Sequence, residues 1–302
     1  MDYSSKNYKD IVEFYNGFET KQEIIAWMQS RKKAEPNLVE YNKDKNNYTI
    51  VVIPTIDADS EWAVADRVIF KGLHIIFVEN EGREPNKFFN YSHSVNKGIE
   101  RALKYNPKWL IISNDDMEKQ EDISKLIAEL KQSEGYDTLF FPNTNTYSSG
   151  VGLYKPVFQN IFRLRSKWRR AYMQIYKKFG IKYELLDMRQ RGFIYRNLIY
   201  HSLYKLNINQ HQSNLIVLNA KFVKQTLKGK VFDDTFINGH EDSWLSYKYL
   251  QHSNFKMSDF KINAIAGASL GIGKDRAFRE IANQIYFEYK CIKCLELEYP
   301  QS

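Results

Sequence analysis

The stretch Trp109-Leu110-Ile111-Ile112-Ser113-Asn114-Asp115-Asp116-Met117 decides the fold. Its apolar run is too short and too β-branched for a core helix and reads as a buried strand. The run stops abruptly at two adjacent carboxylates. In an open α/β sheet, ligands bind just beyond the carboxyl ends of the strands. Asp115 and Asp116 are therefore expected at the mouth of a cleft. Hard oxygen ligands there suit a divalent cation holding phosphate oxygens. Taken alone, the same pair fits a plain helix cap equally well.

The neighbouring sequence extends the pattern in both directions. Apolar runs at 48–53, 73–78, 138–141 and 214–218 read as further strands, and helical periodicity falls at 61–70, 92–105, 120–132 and 221–227. Strands separated by helical segments predict a parallel sheet. Each strand is continuously apolar, as expected when helices cover both faces. Residues 231–242 read as a loop, 243–252 as a helix, 255–265 as extended chain and 277–297 as a closing helix. Upstream, Ile11, Phe14, Tyr15 and Phe18 recur at helical spacing, so residues 1–45 read as helical, with Pro36 and the polar residues 41–47 marking a linker. Four segments are expected: an amino-terminal helical extension (1–47), a nucleotide-binding half (48–150), a basic helical insertion (151–212) and an acceptor-binding half with the last helix (213–302).

Of the 302 residues, 43% are hydrophobic and 26% charged, a globular rather than disordered composition. No apolar run approaches the roughly 20 residues that span a bilayer. Met1 to Asp10 lacks the apolar core of a signal peptide, so a cytoplasmic location is expected. The two cysteines, Cys291 and Cys294, are too few for a disulfide framework or a four-ligand zinc site and read as incidental thiols. The net charge of +8 is unevenly spread: residues 163–205 hold twelve Lys or Arg against only Glu184 and Asp187. The basic character belongs to that one segment.

Four loops fall at the carboxyl edge of the expected sheet: Pro54-Thr55-Ile56-Asp57, Glu79-Asn80, Asn114-Asp115-Asp116, and residues 232–242, which end in Gly239-His240-Glu241-Asp242. Acids gathered on one rim repel unless a cation or donor group sits among them. A carboxylate at 241 or 242 would be able to take a proton from an attacking hydroxyl. The same two residues are also ordinary acids for a first helical turn.

In this order the motifs resemble family-2 glycosyltransferases of the GT-A fold. The opening strand ends in Pro54-Thr55, an acid closes the second strand, and Phe89-Asn90 leads to Asn96-Lys97-Gly98-Ile99. A D-x-D-type motif follows as Asn114-Asp115-Asp116, then Phe-Asp-Asp-x-Phe and Gly-x-Glu-Asp. The resemblance covers residues 48–146 and 213–273. It implies a Rossmann-like α/β domain with a mostly parallel sheet flanked by helices. The implied activity moves a sugar from a nucleoside-diphosphate sugar to a glycan or lipid-linked acceptor, with inversion. Pro54, Thr55, Glu79, Asn80, Asn96, Asn114 and Asp115 would bind the donor, and Asp116 would hold Mg²⁺ or Mn²⁺. Asp242 would be the base, with Glu241 beside it. Asn114 stands where a full D-x-D has its first acid. The late strand at 262–267 offers no His as a further ligand, which leaves His240 and His252 only by default.

Within the basic segment, Trp168, Tyr172, Tyr176 and Phe179 line one helical face among Lys and Arg. That pattern suits an anionic membrane surface, which would place the protein peripherally on the inner face of a membrane. It also suits a stripe packed on the catalytic domain. A nucleic-acid-binding protein is the alternative from another class, but it leaves the acidic rim unexplained, and nucleic acid is not the expected partner. A sugar-phosphate nucleotidyltransferase is a further alternative, disfavoured because residues 54–59 contain acids and no Gly. Residues 267–274 are Gly-rich but lack phosphate-loop spacing.

Overall fold

Seven strands form one mixed sheet in the computed structural model, which describes residues 3, 5, 7–43, 47–80, 89–142, 144, 147–149, 178, 180, 181, 209–211, 214–265 and 274–298. Two units divide the chain: Met1–Arg31, Gly150–Ile208 and Ile272–Ser302 form the first, and Lys32–Ser149 with Asn209–Gly271 form the second.

The second unit holds the sheet. Its elements are β1 (Asn37–Tyr41), β2 (Thr49–Thr55), α3 (Glu61–Ile69), β3 (His74–Glu79), α4 (Tyr91–Leu103), β4 (Trp109–Ser113), β5 (Met117–Lys119), α5 (Ile123–Lys131) and β6 (Thr138–Phe140). After these come β7 (Tyr147–Ser149), β8 (Asn209–His211), β9 (Leu215–Asn219), α6 (Ala220–Gln225), α7 (Glu241–Lys248), β10 (Phe255–Met257) and β11 (Ile262–Ala264). The strand order is β1-β3-β2-β4-β9-β6-β10, with separate two-stranded pairings β11-β5 and β7-β8. Five strands run one way, while β1 and β9 run against their neighbours.

Side chains alternate across the buried strands, and each face has its own core. Val51, Ile53, Ile75, Phe77 and Ile111 pack with Ala63 and Ile69 of α3 and with Leu126 and Leu130 of α5. Ile50, Val52, Ile76, Val78 and Ile112 pack with Val95 and Ile99 of α4, Val223 of α6 and Leu245 of α7. This two-sided burial is why the strands read as unbroken apolar runs. Helix α4 approaches especially closely: a Cβ on Gly98 would meet Val52 Cγ1 at 2.3 Å and Val78 Cγ2 at 2.7 Å.

Several details differ from the sequence reading. Residues 37–41, expected to be helical or linker, form an edge strand on β3. The sheet is mostly parallel, as expected, but β1 and β9 are antiparallel, since a strand buried on both faces has the same apolar pattern in either direction. Strand β5 intervenes after the acidic pair, and α5 starts later than expected, capped by Asp122. The helix expected from 243 begins at Glu241 and ends in a 3-10 turn, Leu250–His252.

In the first unit, α1 (Tyr8–Asn16), α2 (Lys21–Ser30) and α8 (Lys274–Glu298) are described. Tyr3, Phe14, Phe18 and Trp27 form an edge-on aromatic cluster. The Tyr15 hydroxyl donates to Phe278 O at 2.9 Å and accepts from Ala282 N at 3.0 Å. Cys291 is buried on α8. Trp168, Tyr172, Tyr176 and Phe179 of the basic aromatic face, residues 267–273 of the Gly-rich stretch and the Cys294 side chain lie outside the described residues. No helix among the described residues is long and apolar enough to cross a membrane.

Candidate active site

Parallel strands β2, β3 and β4 end side by side, which brings Thr55, Glu79 and Asn114-Asp115-Asp116 to one rim. The loop after β2 is tied to its neighbours. Asn80 N donates to Thr55 O at 3.0 Å, and Asn80 Nδ2 donates to Ser94 Oγ at 3.2 Å. Both Glu79 oxygens accept: Oε1 from Ala58 N at 2.8 Å and Oε2 from Asn37 Nδ2 at 2.7 Å. Arg67 lies over the Tyr41 ring, bonds Ala58 O and Tyr41 Oη, and pairs with Asp59 at 2.9 Å. Thr55 Oγ1 donates to Asp115 Oδ2 at 2.8 Å and so links the ends of β2 and β4.

Asn114 is oriented by Asn214: its N–H donates to Asn214 O at 2.9 Å and its Nδ2 to Asn214 Oδ1 at 3.1 Å. Its own Oδ1 is buried without a hydrogen-bond partner among the described residues. The Asp116 backbone carbonyl accepts from Ile265 N at 2.8 Å, beside the β5–β11 pairing, and its side chain is buried. Burial pushes the Asp115 carboxyl above its ordinary pKa, opposed by the Thr55 hydrogen bond and reinforced by Asp116.

A third carboxyl stands behind this pair. Asp66 of α3 is 0% exposed, and neither of its oxygens has a hydrogen-bond partner among the described residues. Burial raises its pKa well above the usual carboxylate range, and the charges of Asp115 and Asp116 raise it further. The neutral form of Asp66 is therefore favoured over the charged one, because a buried carboxylate is costly.

The opposite wall is the 231–242 segment, clamped to α4 by three asparagines. Asn96 Oδ1 accepts from Val231 N at 3.0 Å and Phe232 N at 3.1 Å, while its Nδ2 donates to Phe232 O at 2.8 Å. Asn90 caps α4 through His93 N and donates to Phe236 O at 3.1 Å. Asn238, at φ 53°, accepts from Tyr91 N at 2.7 Å and donates to Phe89 O at 3.0 Å. Asp234 pairs with Lys33 at 3.1 Å and with His93 at 3.5 Å; the His93 contact, then Lys33, holds its pKa well below the ordinary value.

Left-handed His240 turns the chain into α7, whose first residues are the buried Glu241 and the partly exposed Asp242. Asp242 Oδ1 accepts from Ser243 N at 2.6 Å. The two walls meet at Tyr91, the first residue of α4. Burial raises its phenol pKa well above the ordinary value, followed by the charges of Glu241, Asp242, Asp116 and Asp115. Acids 125 residues apart thus act on one hydroxyl.

Among the described residues, no group of three or more His, Cys, Asp or Glu is placed to hold a metal ion. An all-protein cage is therefore not formed by these side chains. The arrangement fits the other mode of Mg²⁺ binding, through one or two carboxylates with water and substrate phosphates supplying the rest. Asp115, Asp116 and Asn114 are the residues at the strand end that carry oxygens of that kind, and Asn114 Oδ1 has no hydrogen-bond partner among the described residues.

No family model and no curated protein matches this chain. Among solved structures it is similar to A197 from STIV, at 12% identity over 72% of this chain and 85% of that one, with a TM-score of 0.38. That likeness is too slight to carry an argument.

Of the sequence-predicted residues, Thr55 and Asp115 bond directly, and the fields of Asp115, Asp116, Glu241 and Asp242 converge. Pro54 lies within buried β2. Glu79 and Asn80 bind the neighbouring loop and helix, and every Asn96 hydrogen bond named above goes to residues 231–232. Sequence reasoning missed Asp66 and Tyr91. The first carried a readable signal: Ala63, Asp66 and Ile69 fall on one helical stripe, so an acid occupies an inward position. Starting the fourth helix at Ser92 left Tyr91 outside it.

Proposed function

We propose that this protein is a glycosyltransferase that moves a sugar from a nucleoside-diphosphate sugar to an acceptor hydroxyl on a glycan or lipid-linked glycan, with inversion and dependence on Mg²⁺ or Mn²⁺. One observation carries the reading: the strand-end pair Asp115–Asp116 and the helix-start pair Glu241–Asp242 converge at the rim of an α/β sheet, both acting on Tyr91. The divalent cation would offset charge developing on the leaving diphosphate. Asp115 and Asp116 face that side, with Asp115 oriented by Thr55. Asp242 is more exposed than Glu241, so it is the better placed of the two to meet an acceptor. It takes the proton as the acceptor oxygen bonds to the anomeric carbon and the bond to the diphosphate oxygen breaks. Inversion follows from this single displacement. The GT-A assignment, the donor roles of Glu79 and Asn80, and contact with an anionic membrane belong to the same proposal.

Thermal shift with UDP, GDP and dTDP, each with and without Mn²⁺, tests the reading. A stabilisation that needs both nucleotide and cation, and that Asp116→Asn removes, is expected. No shift with any nucleotide would overturn it.

A further inference from the structure

Tyr91 joins the two halves of the site in three independent ways. Its backbone N–H is bound by Asn238, three residues before Glu241. Its ring packs on Phe232 at 5.7 Å and belongs to the core shared with Ile112, at the end of the strand that delivers Asp115–Asp116, and with Leu245 of α7. Its side chain is buried, and the charges of Glu241, Asp242, Asp116 and Asp115 add to burial in raising its phenol pKa. A phenol is both donor and acceptor, whereas ionised carboxylates only accept. A neutral O–H among anions lowers their mutual repulsion without adding charge, and the ring fixes the separation between strand end and helix start.

We propose that Tyr91 is a positioning residue that sets the register of the 231–242 segment and the first turn of α7 against Asp115–Asp116. This rests on the transferase reading only for its consequence on rate; the positioning itself is a property of the fold. Two groups of contacts distinguish the clamp from the hydroxyl. Asn90 and Asn96 hold the segment by its backbone, Asn238 of the segment holds the backbone of Phe89 and Tyr91, and all three remain when the hydroxyl is removed.

The variant is Tyr91→Phe, which keeps the ring and loses the hydroxyl; Phe232→Leu, which loosens the ring contact and keeps the hydroxyl, is its companion. Amide hydrogen exchange of the full chain is followed at Trp244 and Leu245 of α7, with Val51 and Ile53 of β2 as internal references. In Tyr91→Phe, exchange at the α7 amides should rise roughly tenfold, the worth of one buried hydrogen-bonding group, with the β2 amides unchanged. Wild-type exchange at Trp244 and Leu245 in Tyr91→Phe would overturn the assignment, as would equal acceleration at Val51 and Ile53, which marks general destabilisation. Phe232→Leu should accelerate the same α7 amides; no change there would overturn the ring's share. On whichever UDP-, GDP- or dTDP-hexose the wild type turns over, Tyr91→Phe should lower kcat roughly tenfold with donor KM unchanged. A rise in KM alone would overturn the positioning role. Absence of metal-dependent nucleotide binding by the wild type overturns the transferase reading, and the exchange result still decides Tyr91.

Discussion

Replacing Asp66 with Asn should make the protein progressively more stable than wild type as pH rises. The wild-type carboxyl is fully buried and has no hydrogen-bond partner among the described residues, and its pKa is raised by burial and then by Asp115 and Asp116. In the unfolded chain the same group ionises near pH 3.9. Below that value both states hold the proton, and the group makes no pH-dependent contribution. Above it the unfolded chain releases a proton that the native state keeps, so the native state binds more protons and stability falls with pH. The slope is about 1.4 kcal/mol per pH unit, sustained until the pH reaches the folded pKa. Asn does not titrate, so the variant escapes that slope.

The carboxamide has its own unsatisfied groups, worth about 1–3 kcal/mol against it at every pH. The variant should therefore be equal to or less stable than wild type in acid and overtake it as pH rises, with each kcal/mol appearing as roughly 2–4 °C in Tm. Urea unfolding at half-unit steps from pH 3 to 8, in chelator to keep cations away, gives the two curves. Parallel curves above pH 4 would refute the reasoning, because they would mean Asp66 is ionised in the native protein.

Asp234→Asn should behave in the opposite sense. The native pKa of Asp234 is depressed by His93 and then Lys33, so its contribution is present above the unfolded pKa and lost as pH falls; its variant should be destabilised at pH 6 and indistinguishable from wild type in strong acid, by the same urea series. Asn96→Ala strips the partners from two backbone N–H groups and one carbonyl at Val231 and Phe232, and should cost about 2–4 kcal/mol, read as a lower urea midpoint with accelerated amide exchange at 231–232. Asp242→Asn should keep nucleotide affinity, measured by calorimetry, and lower the transfer rate by about 10²–10⁴; undiminished turnover would remove Asp242 from the base role.

The strand ends were legible because two facts coincide in the sequence: buried strands are unbroken apolar runs, and Thr55, Glu79 and Asn114-Asp115-Asp116 interrupt them at one edge. Strand direction was not legible. Leu215–Asn219 is as apolar as its neighbours yet runs antiparallel, and nothing within a doubly covered strand records its polarity. Strand Asn37–Tyr41 escaped because it is an edge strand, only partly buried on each face, and Asn37 and Glu40 are polar, so its five residues look like linker. The role of Asn96 was inferred from its place in a motif, but its carboxamide faces the 231–232 backbone, a contact made across more than 130 residues. Proximity at that separation is a property of tertiary packing.

The two kinds of carboxyl in this site differ in what holds them. Glu79 and Asp234 are matched to N–H, amide or cationic partners, and they fix loops. Asp66 and Asp115 have raised pKa values, so their environment disfavours the charged form. Such a cluster is tolerable because what lies beneath it is over-determined: strands buried on both faces, a helix brought within contact by Gly98, and a loop clamped at Asn90, Asn96 and Asn238. Strain of this sort persists only where the surroundings leave no room to relax. A ligand that brings positive charge to the rim would relieve it and so bind with a contribution from the protein's own stored repulsion. On the proposed reading, the scaffold that holds these acids together would let a divalent cation and the diphosphate it carries offset their repulsion.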